Sequence, residues 1–179
     1  MKIAIAGYGV VGRGTHELLL MNRDKIAARA GEEIEVKYVL DPKPLEGTPA
    51  EQLKASGIEE ILADPEVKLL VEAIGGVGPA YEYVKAALES GRSVVTPNKQ
   101  LVAEKGAELL AIAREKNVGF LFEASVAGGT PVLHPISQCL WANDLDLAAG
   151  ILNGTTNYIL TRMIRAGLTF EQALKEAQD

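Results

Sequence analysis

The sequence is poor in the residues that build disulfides and metal clusters. Its one cysteine, Cys139, excludes a disulfide within the chain and fits a reducing compartment. Its two histidines, His16 and His134, lie far apart, with no Cys, Asp or Glu at ligand spacing. No serine elbow is present. Cys139 itself lies in an apolar helical pattern, which favours a place in the core over a role as a nucleophile.

Long apolar runs are also missing, so the sequence predicts no membrane span of about 20 residues. The apolar run after Lys2 ends at Gly7 and is too short for the core of a signal peptide. A formal net charge of −6 argues against nucleic acid or anionic membrane as the main partner. With 47% hydrophobic residues, the 179 residues suffice for one full domain and part of a second. We expect a soluble, cytoplasmic, globular protein.

A glycine-rich motif follows the first apolar segment. Residues 3–6 are uncharged and apolar, as in a strand buried on both faces of a parallel sheet. Gly7, Gly9 and Gly12 then satisfy G-x-G-x-x-G where the strand should become a helix. The first glycine makes the turn, the second admits a pyrophosphate, and the third lets helix pack on strand. The motif predicts dinucleotide binding, and a merely tight strand–helix corner is the alternative.

Further contacts to the dinucleotide follow from this placement. The N–H groups of Val10 and Val11, at the positive end of the helix, should face the phosphates. Asp41 ends the second predicted strand, where an acidic residue binds the adenosine ribose 2′-OH and repels a 2′-phosphate. It stands 29 residues after Gly12, farther than the usual ~20. Lys43 could instead contact a phosphate, or Asp41 to Pro44 could simply form a turn.

Strand and helix patterns alternate through the first 130 residues. The predicted helices cover 13–30 (ended by Gly31), 50–55, 79–91 and 99–116, and the predicted strands cover 34–40, 69–74, 93–96 and 118–123. Short connections between alternating strands and helices indicate an α/β fold with a doubly wound parallel sheet. We therefore assign residues 1–130 to a dinucleotide-binding domain of the Rossmann type.

The pattern changes after residue 130, and residues 131–179 read as the start of a second, α+β domain. Residues 131–141 look helical, 144–152 alternate, and 153–157 form a polar turn. A helix closed by Gly167 follows, and Thr169 with Gln172 predicts a capping box for another helix. Because the sequence stops within that helix, we expect it to be the N-terminal part of a longer protein.

Polar groups stand at three predicted strand ends, namely residues 96–99, 123–125 and 153–155, near a glycine loop at 75–78. Carboxyl ends of strands are where open α/β sheets bind ligands. Lys99 begins a helix, where the dipole should lower its pKa and make it usable for proton transfer. The alternative is a solvated lysine on a first turn.

Five motifs in this order and spacing resemble the homoserine dehydrogenase family. They are GYGVVG at 7–12, VEAIGG at 71–76, VVTPNKQLVAEKG at 94–106, FEASVAGGTPVLHPI at 122–136 and GILNGTTNYIL at 150–160. The resemblance implies NAD(P)-dependent interconversion of L-homoserine and L-aspartate 4-semialdehyde on the way to threonine and methionine. It also implies a homodimer that pairs through the domain beginning near Pro131.

The resemblance implies site residues as well. It gives Lys99 a cofactor contact and a place in the proton relay. It adds Gly75, Gly76 and Pro97 to the cofactor-binding residues and places substrate contacts at Gly154 and Thr155. It implies a monovalent-cation site, usually sodium, and its residues are Glu123, Val126, Gly128 and Thr130.

Two departures from the family pattern stand out. The basic residue that usually precedes the acidic one, and helps to bind NADP, is Leu40 here. The family's Asp and second Lys that engage homoserine come later than Asp179.

Two alternative functions remain open. The protein could be another amino-acid dehydrogenase, or it could be a dinucleotide-binding module that catalyses no reaction.

Overall fold

Five parallel strands form the sheet of the N-terminal unit. The computed structural model describes residues 1–151 and 153–179, which divide into the units Met1–Gly128 and Gly129–Asp179. The strands are β1 (Lys2–Ala6), β2 (Glu35–Leu40), β3 (Val67–Glu72), β4 (Ser93–Val95) and β5 (Phe120–Leu121). They lie in the order β2-β1-β3-β4-β5, and every pairing is parallel. The predicted doubly wound sheet is confirmed, with its switch point between β1 and β3.

Strand β1 is buried on both faces. Ala4 and Ala6 belong to one hydrophobic cluster, whereas Ile3 and Ile5 belong to another, and none of the four is more than 3% exposed. Because alternate side chains of a strand point to opposite faces, these two clusters lie on the two sides of the sheet. This explains why the sequence shows an uninterrupted apolar run here rather than alternation.

Six helices accompany the strands in this unit. They are α1 (Val10–Met21), α2 (Arg23–Ala30), α3 (Ile58–Ala63), α4 (Gly78–Glu89), α5 (Lys99–Glu115) and α6 (Glu123–Ala127), with a 3₁₀ turn at Glu51–Leu53. The single helix predicted over 13–30 is wrong, since it is interrupted at Asn22. There the main-chain N–H and the side-chain amide both donate to the Leu18 carbonyl, at 3.1 and 3.2 Å. An amide that competes for backbone acceptors favours a helix boundary.

The C-terminal unit contains helices in its described part. They are a short π-helix (Pro135–Cys139), α7 (Gly154–Ala166) and α8 (Phe170–Gln178). The capping box of Thr169 and Gln172 is confirmed, and Gly167 ends α7 in the left-handed region. Across the α7–α8 pair, Arg162 donates to Glu176 at 2.7 Å.

Three expectations for this unit are wrong. Cys139 is exposed rather than in the core, and it lies in a segment, 136–151, in which every residue is exposed. Residues 144–151 form no strand, and Leu152, the last of that alternating pattern, lies outside the described residues. Residues 154–157 are the first turn of α7 rather than a polar turn, because Asn153 caps the helix by accepting from the Thr156 N–H at 2.9 Å.

Within residues 1–151 and 153–179, no helix is long and apolar enough to cross a bilayer.

Candidate active site

The three glycines of the loop between β1 and α1 have different surroundings. Gly7 has a φ of +92°, and a Cβ placed on it would lie 2.5 Å from the Ala73 carbonyl oxygen. A Cβ on Gly12 would lie 1.9 Å from the carbonyl oxygen of Gly7. A Cβ on Gly9 would have no heavy atom within 4 Å. Gly7 and Gly12 therefore allow the chain to pack on itself, whereas Gly9 keeps open space in front of the loop.

That open space belongs to a cleft of about 760 Å³. Its walls come from the loop after β1, the segment 40–43 after β2, residues 73–74 after β3, and the segment 54–56. Val10 and Val11, whose N–H groups start α1, are 93% and 51% exposed beside it. The cleft therefore lies at the carboxyl ends of the strands and at the switch point, where open α/β sheets bind their ligands.

Asp41 joins the end of β2 to the glycine loop. Its Oδ2 accepts the Tyr8 N–H at 2.6 Å, and its Oδ1 accepts the Lys43 N–H at 2.8 Å. The second bond makes the 41–43 segment an Asx-type turn, so the turn interpretation describes this backbone correctly. Asp41 also lines the cleft and is only half-buried. Since each carboxylate oxygen can accept a further bond, Asp41 keeps acceptor capacity for a ribose hydroxyl.

The Tyr8 side chain forms a hydrogen bond with a histidine of α1. Its hydroxyl lies 2.8 Å from Nδ1 of His16, and both side chains are buried. Burial raises the pKa of Tyr8 and lowers the pKa of His16, so both groups are neutral near pH 7. This neutral pair fixes the loop residue whose N–H holds Asp41.

Lys54 is a cleft residue that the sequence reasoning missed. The Ala55 N–H donates to the Val39 carbonyl at 2.9 Å. This bond belongs to a parallel bridge between Val39 and Lys54, so Lys54 lies beside β2. Its Nζ then donates to the Lys43 carbonyl at 2.9 Å, and both lysines line the cleft. Lys54 falls within the helix predicted over 50–55, where the structure has only a 3₁₀ turn at Glu51–Leu53, so the predicted pattern did not place it beside β2.

A buried carboxylate lies at the end of β3. Glu72 is fully buried, and its Oε1 accepts the N–H groups of Ile74 at 2.7 Å and Gly75 at 3.2 Å. Its Oε2 accepts the hydroxyl of Thr96, at the end of β4. The sequence patterns predict no role for Glu72, although a lone charge in the apolar segment LLVEAI is a usable signal.

Asn98 carries this network to the start of α5. Its N–H donates to Thr96 Oγ1 at 2.9 Å, and its amide donates to the Gly76 carbonyl at 2.6 Å. Its Oδ1 caps α5 by accepting the Leu101 N–H at 3.1 Å. Lys99 follows as the first residue of α5 and is exposed. The structure thus brings the loops 74–76 and 96–99 together at one edge of the sheet.

Two family models match this chain. Residues 7–123 match the model described as the NAD-binding domain of homoserine dehydrogenase, and residues 131–179 match the model described as homoserine dehydrogenase. The first match alone covers more than half of the chain. The chain belongs to the homoserine dehydrogenase family.

Relatives from bacteria and from an archaeon agree with this assignment. A homoserine dehydrogenase from Pseudomonas aeruginosa is 46% identical over 99% of this chain and 41% of its own length. A homoserine dehydrogenase crystal structure from Thiobacillus denitrificans has a TM-score of 0.89 and 41% identity over 99% of this chain and 42% of its own. A hyperthermophilic archaeal homoserine dehydrogenase in complex with NADPH has a TM-score of 0.78 and 26% identity over 99% of this chain and 61% of its own. The chain spans about two fifths of the length of the curated relatives it matches.

The residues that the family resemblance singles out lie in both units. Glu123 begins α6, and one residue, Phe122, separates it from the end of β5. Of the three predicted polar strand ends, 96–99 and 123–125 therefore do follow strands. The third, 153–155, is at a helix start, and that part of the prediction is wrong. Gly154 and Thr155 are exposed in the first turn of α7.

The residues predicted to hold sodium are divided between the units, with Val126 and Gly128 in the first and Thr130 in the second. In the part of the chain that the structure describes, no group of three or more His, Cys, Asp or Glu side chains could hold a metal ion. Val126 and Gly128 can offer only main-chain carbonyl oxygens, so the predicted site does not require such a group. Hard cations such as Ca²⁺ accept carbonyl ligands of this kind.

Proposed function

We propose that the protein is an NAD(P)-dependent homoserine dehydrogenase that interconverts L-homoserine and L-aspartate 4-semialdehyde, and that this chain supplies its dinucleotide site. The observation that carries the proposal is the cleft at the switch point of the sheet, with an open glycine loop and with remaining acceptor capacity on the Asp41 carboxylate. Membership of the family supports the choice of substrate.

The chain's own groups suit the two halves of the cofactor. The N–H groups of Val10 and Val11 bind the pyrophosphate in front of Gly9, and Asp41 accepts a hydrogen bond from the adenosine ribose. Lys99 lies next to the nicotinamide side and takes part in moving the proton of the substrate hydroxyl. The bound nicotinamide supplies hydride transfer to or from the substrate carbon.

Homoserine oxidation tests the proposed function. We expect the full-length protein to reduce the dinucleotide with L-homoserine, whereas residues 1–179 bind dinucleotide and turn over homoserine negligibly, since the family's Asp and second Lys have no counterpart in them. The rate is measured as the change in absorbance of the reduced nicotinamide. Other hydroxy and amino acids are tested as alternative substrates in separate assays. A faster rate with one of those acids would favour another amino-acid dehydrogenase. Dinucleotide binding without turnover of any substrate would favour a non-catalytic module.

The preferred cofactor forms a separate prediction. Asp41 accepts the ribose 2′-OH and Leu40 offers no positive charge, so we expect NAD to bind at least as well as NADP. One charge-assisted hydrogen bond contributes about 1.5–3 kcal/mol, which is roughly ten- to a hundredfold in affinity. Calorimetric titration of the chain with each dinucleotide measures the ratio. NADP binding more than tenfold tighter would contradict the prediction and would identify Lys43 and Lys54 as the phosphate contacts, to be checked by replacing each with Met.

The proposal also includes a sodium site and a homodimer. Sodium is held around Glu123, Val126, Gly128 and Thr130, and two full-length copies pair through the domain that begins near Pro131. Both assignments are supported by the resemblance to the family.

A further inference from the structure

Glu72 is a costly residue for a sheet interior. A buried carboxylate loses its hydration and is tolerated only when other groups satisfy it. Glu72 has no ion-pair partner among residues 1–151 and 153–179, so its three hydrogen bonds, from Ile74, Gly75 and Thr96, replace the lost water. An apolar side chain would fill the same space without this cost. The presence of a carboxylate at this buried position is therefore explained by the groups that it holds in place.

What Glu72 holds are the two loops that follow β3 and β4. Oε1 fixes the backbone of residues 74–75, and Oε2 fixes the hydroxyl of Thr96. That hydroxyl can donate to Glu72 and accept from the Asn98 N–H at the same time, so its orientation is determined by both partners. Asn98 then closes the ring by donating to the Gly76 carbonyl. Five hydrogen bonds thus connect the loop after β3 with the loop after β4.

The position of these loops matters for one half of the dinucleotide. The glycine loop after β1 and Asp41 after β2 take the adenosine half, on one side of the switch point. A dinucleotide that crosses the switch point must extend its other half over β3 and β4. Its nicotinamide half therefore lies at loops 74–76 and 96–99, with Lys99 beside it.

We propose that Glu72 is a positioning residue that, through Thr96 and Asn98, fixes both loops and the start of α5 for the nicotinamide half. This inference rests on the proposed dinucleotide function. It predicts that breaking the network weakens contacts to the nicotinamide half and spares the adenosine half.

A matched pair of variants at Thr96 tests the inference. Thr96→Val keeps the shape and removes the hydroxyl, whereas Thr96→Ser keeps the hydroxyl. The chain is titrated calorimetrically with NADH and with ADP-ribose, which lacks only the nicotinamide. We expect Thr96→Val to weaken NADH binding about tenfold, the scale of one hydrogen bond to a charged group, and to change ADP-ribose binding less than twofold. Thr96→Ser should bind both ligands close to wild type.

Glu72→Met, which keeps the length of the side chain and removes both acceptor oxygens, gives a second measurement if the valine variant fails to fold by circular dichroism. It should show the same selective loss of NADH affinity. Equal losses for both ligands, or NADH binding unchanged in Thr96→Val and Glu72→Met, would overturn the positioning role. Failure of the wild-type chain to bind ADP-ribose would instead overturn the proposed dinucleotide function.

Discussion

Dinucleotide binding should be lost in the variant Gly9→Val, while the fold remains intact. No heavy atom lies within 4 Å of a Cβ built on Gly9, so the protein itself has room for the new side chain. In the proposed dinucleotide complex, valine would fill the space that the pyrophosphate needs. Calorimetric titration with NADH measures the loss, and circular dichroism checks the fold.

The other glycines of the same segment provide the controls. Gly12→Val should unfold or strongly destabilise the chain, because a Cβ there would lie 1.9 Å from the Gly7 carbonyl oxygen. Gly14→Ala, on the same helix and with no atom within 4 Å of its Cβ, should bind normally and gain up to about 1 kcal/mol in free energy of unfolding. NADH binding that survives in a well-folded Gly9→Val variant would place the phosphates elsewhere.

Lys99→Ala in the full-length protein should lower kcat by ~10²-fold or more, the usual scale for loss of a general acid or base. Homoserine oxidation removes a proton from the hydroxyl as the hydride leaves, so a nearby base must accept it. Lys99 begins α5 beside the loops proposed to hold the nicotinamide, and it is exposed to an incoming ligand. Steady-state kinetics with saturating homoserine and dinucleotide measure the effect.

Lys105 provides the control, since it lies on the same helix and contacts the Tyr81 ring, with its Nζ 4.9 Å from the ring centroid. Lys105→Ala should retain the wild-type kcat. A normal kcat in Lys99→Ala would exclude Lys99 from the proton relay. A similar loss in both variants would indicate a general effect on α5 rather than chemistry at Lys99.

The sheet was predictable because its strands carry strong local signals. An apolar run followed by a glycine turn marks β1, and similar runs mark β3 and β4 within two residues of their observed bounds. Helix α3 was missed because its six residues are too few to show a period between Gly57 and Pro65. The interruption at Asn22 was missed because one amide side chain decides it, without a change in the apolar pattern.

The candidate site was predictable where function depends on a motif and unpredictable where it depends on tertiary contacts. The glycine loop and Asp41 follow strands directly, so their positions at the cleft follow from the topology of the fold. Lys54 reaches the cleft only through the pairing of its segment with Val39. The link between Glu72 and Thr96 joins residues that are 24 apart in sequence, and no local pattern records it.

The place of β1 between two neighbours also has a consequence for the order of events during synthesis. Its partners are β2 at residues 35–40 and β3 at residues 67–72, so this interior strand leaves the ribosome before either of the strands that pair with it. At roughly 5–20 residues per second, several seconds pass before both neighbours exist. During that time an apolar segment with unpaired N–H and C=O groups on both edges is open to other nascent chains. Chaperone capture of this segment during synthesis is therefore expected to raise the yield of folded protein.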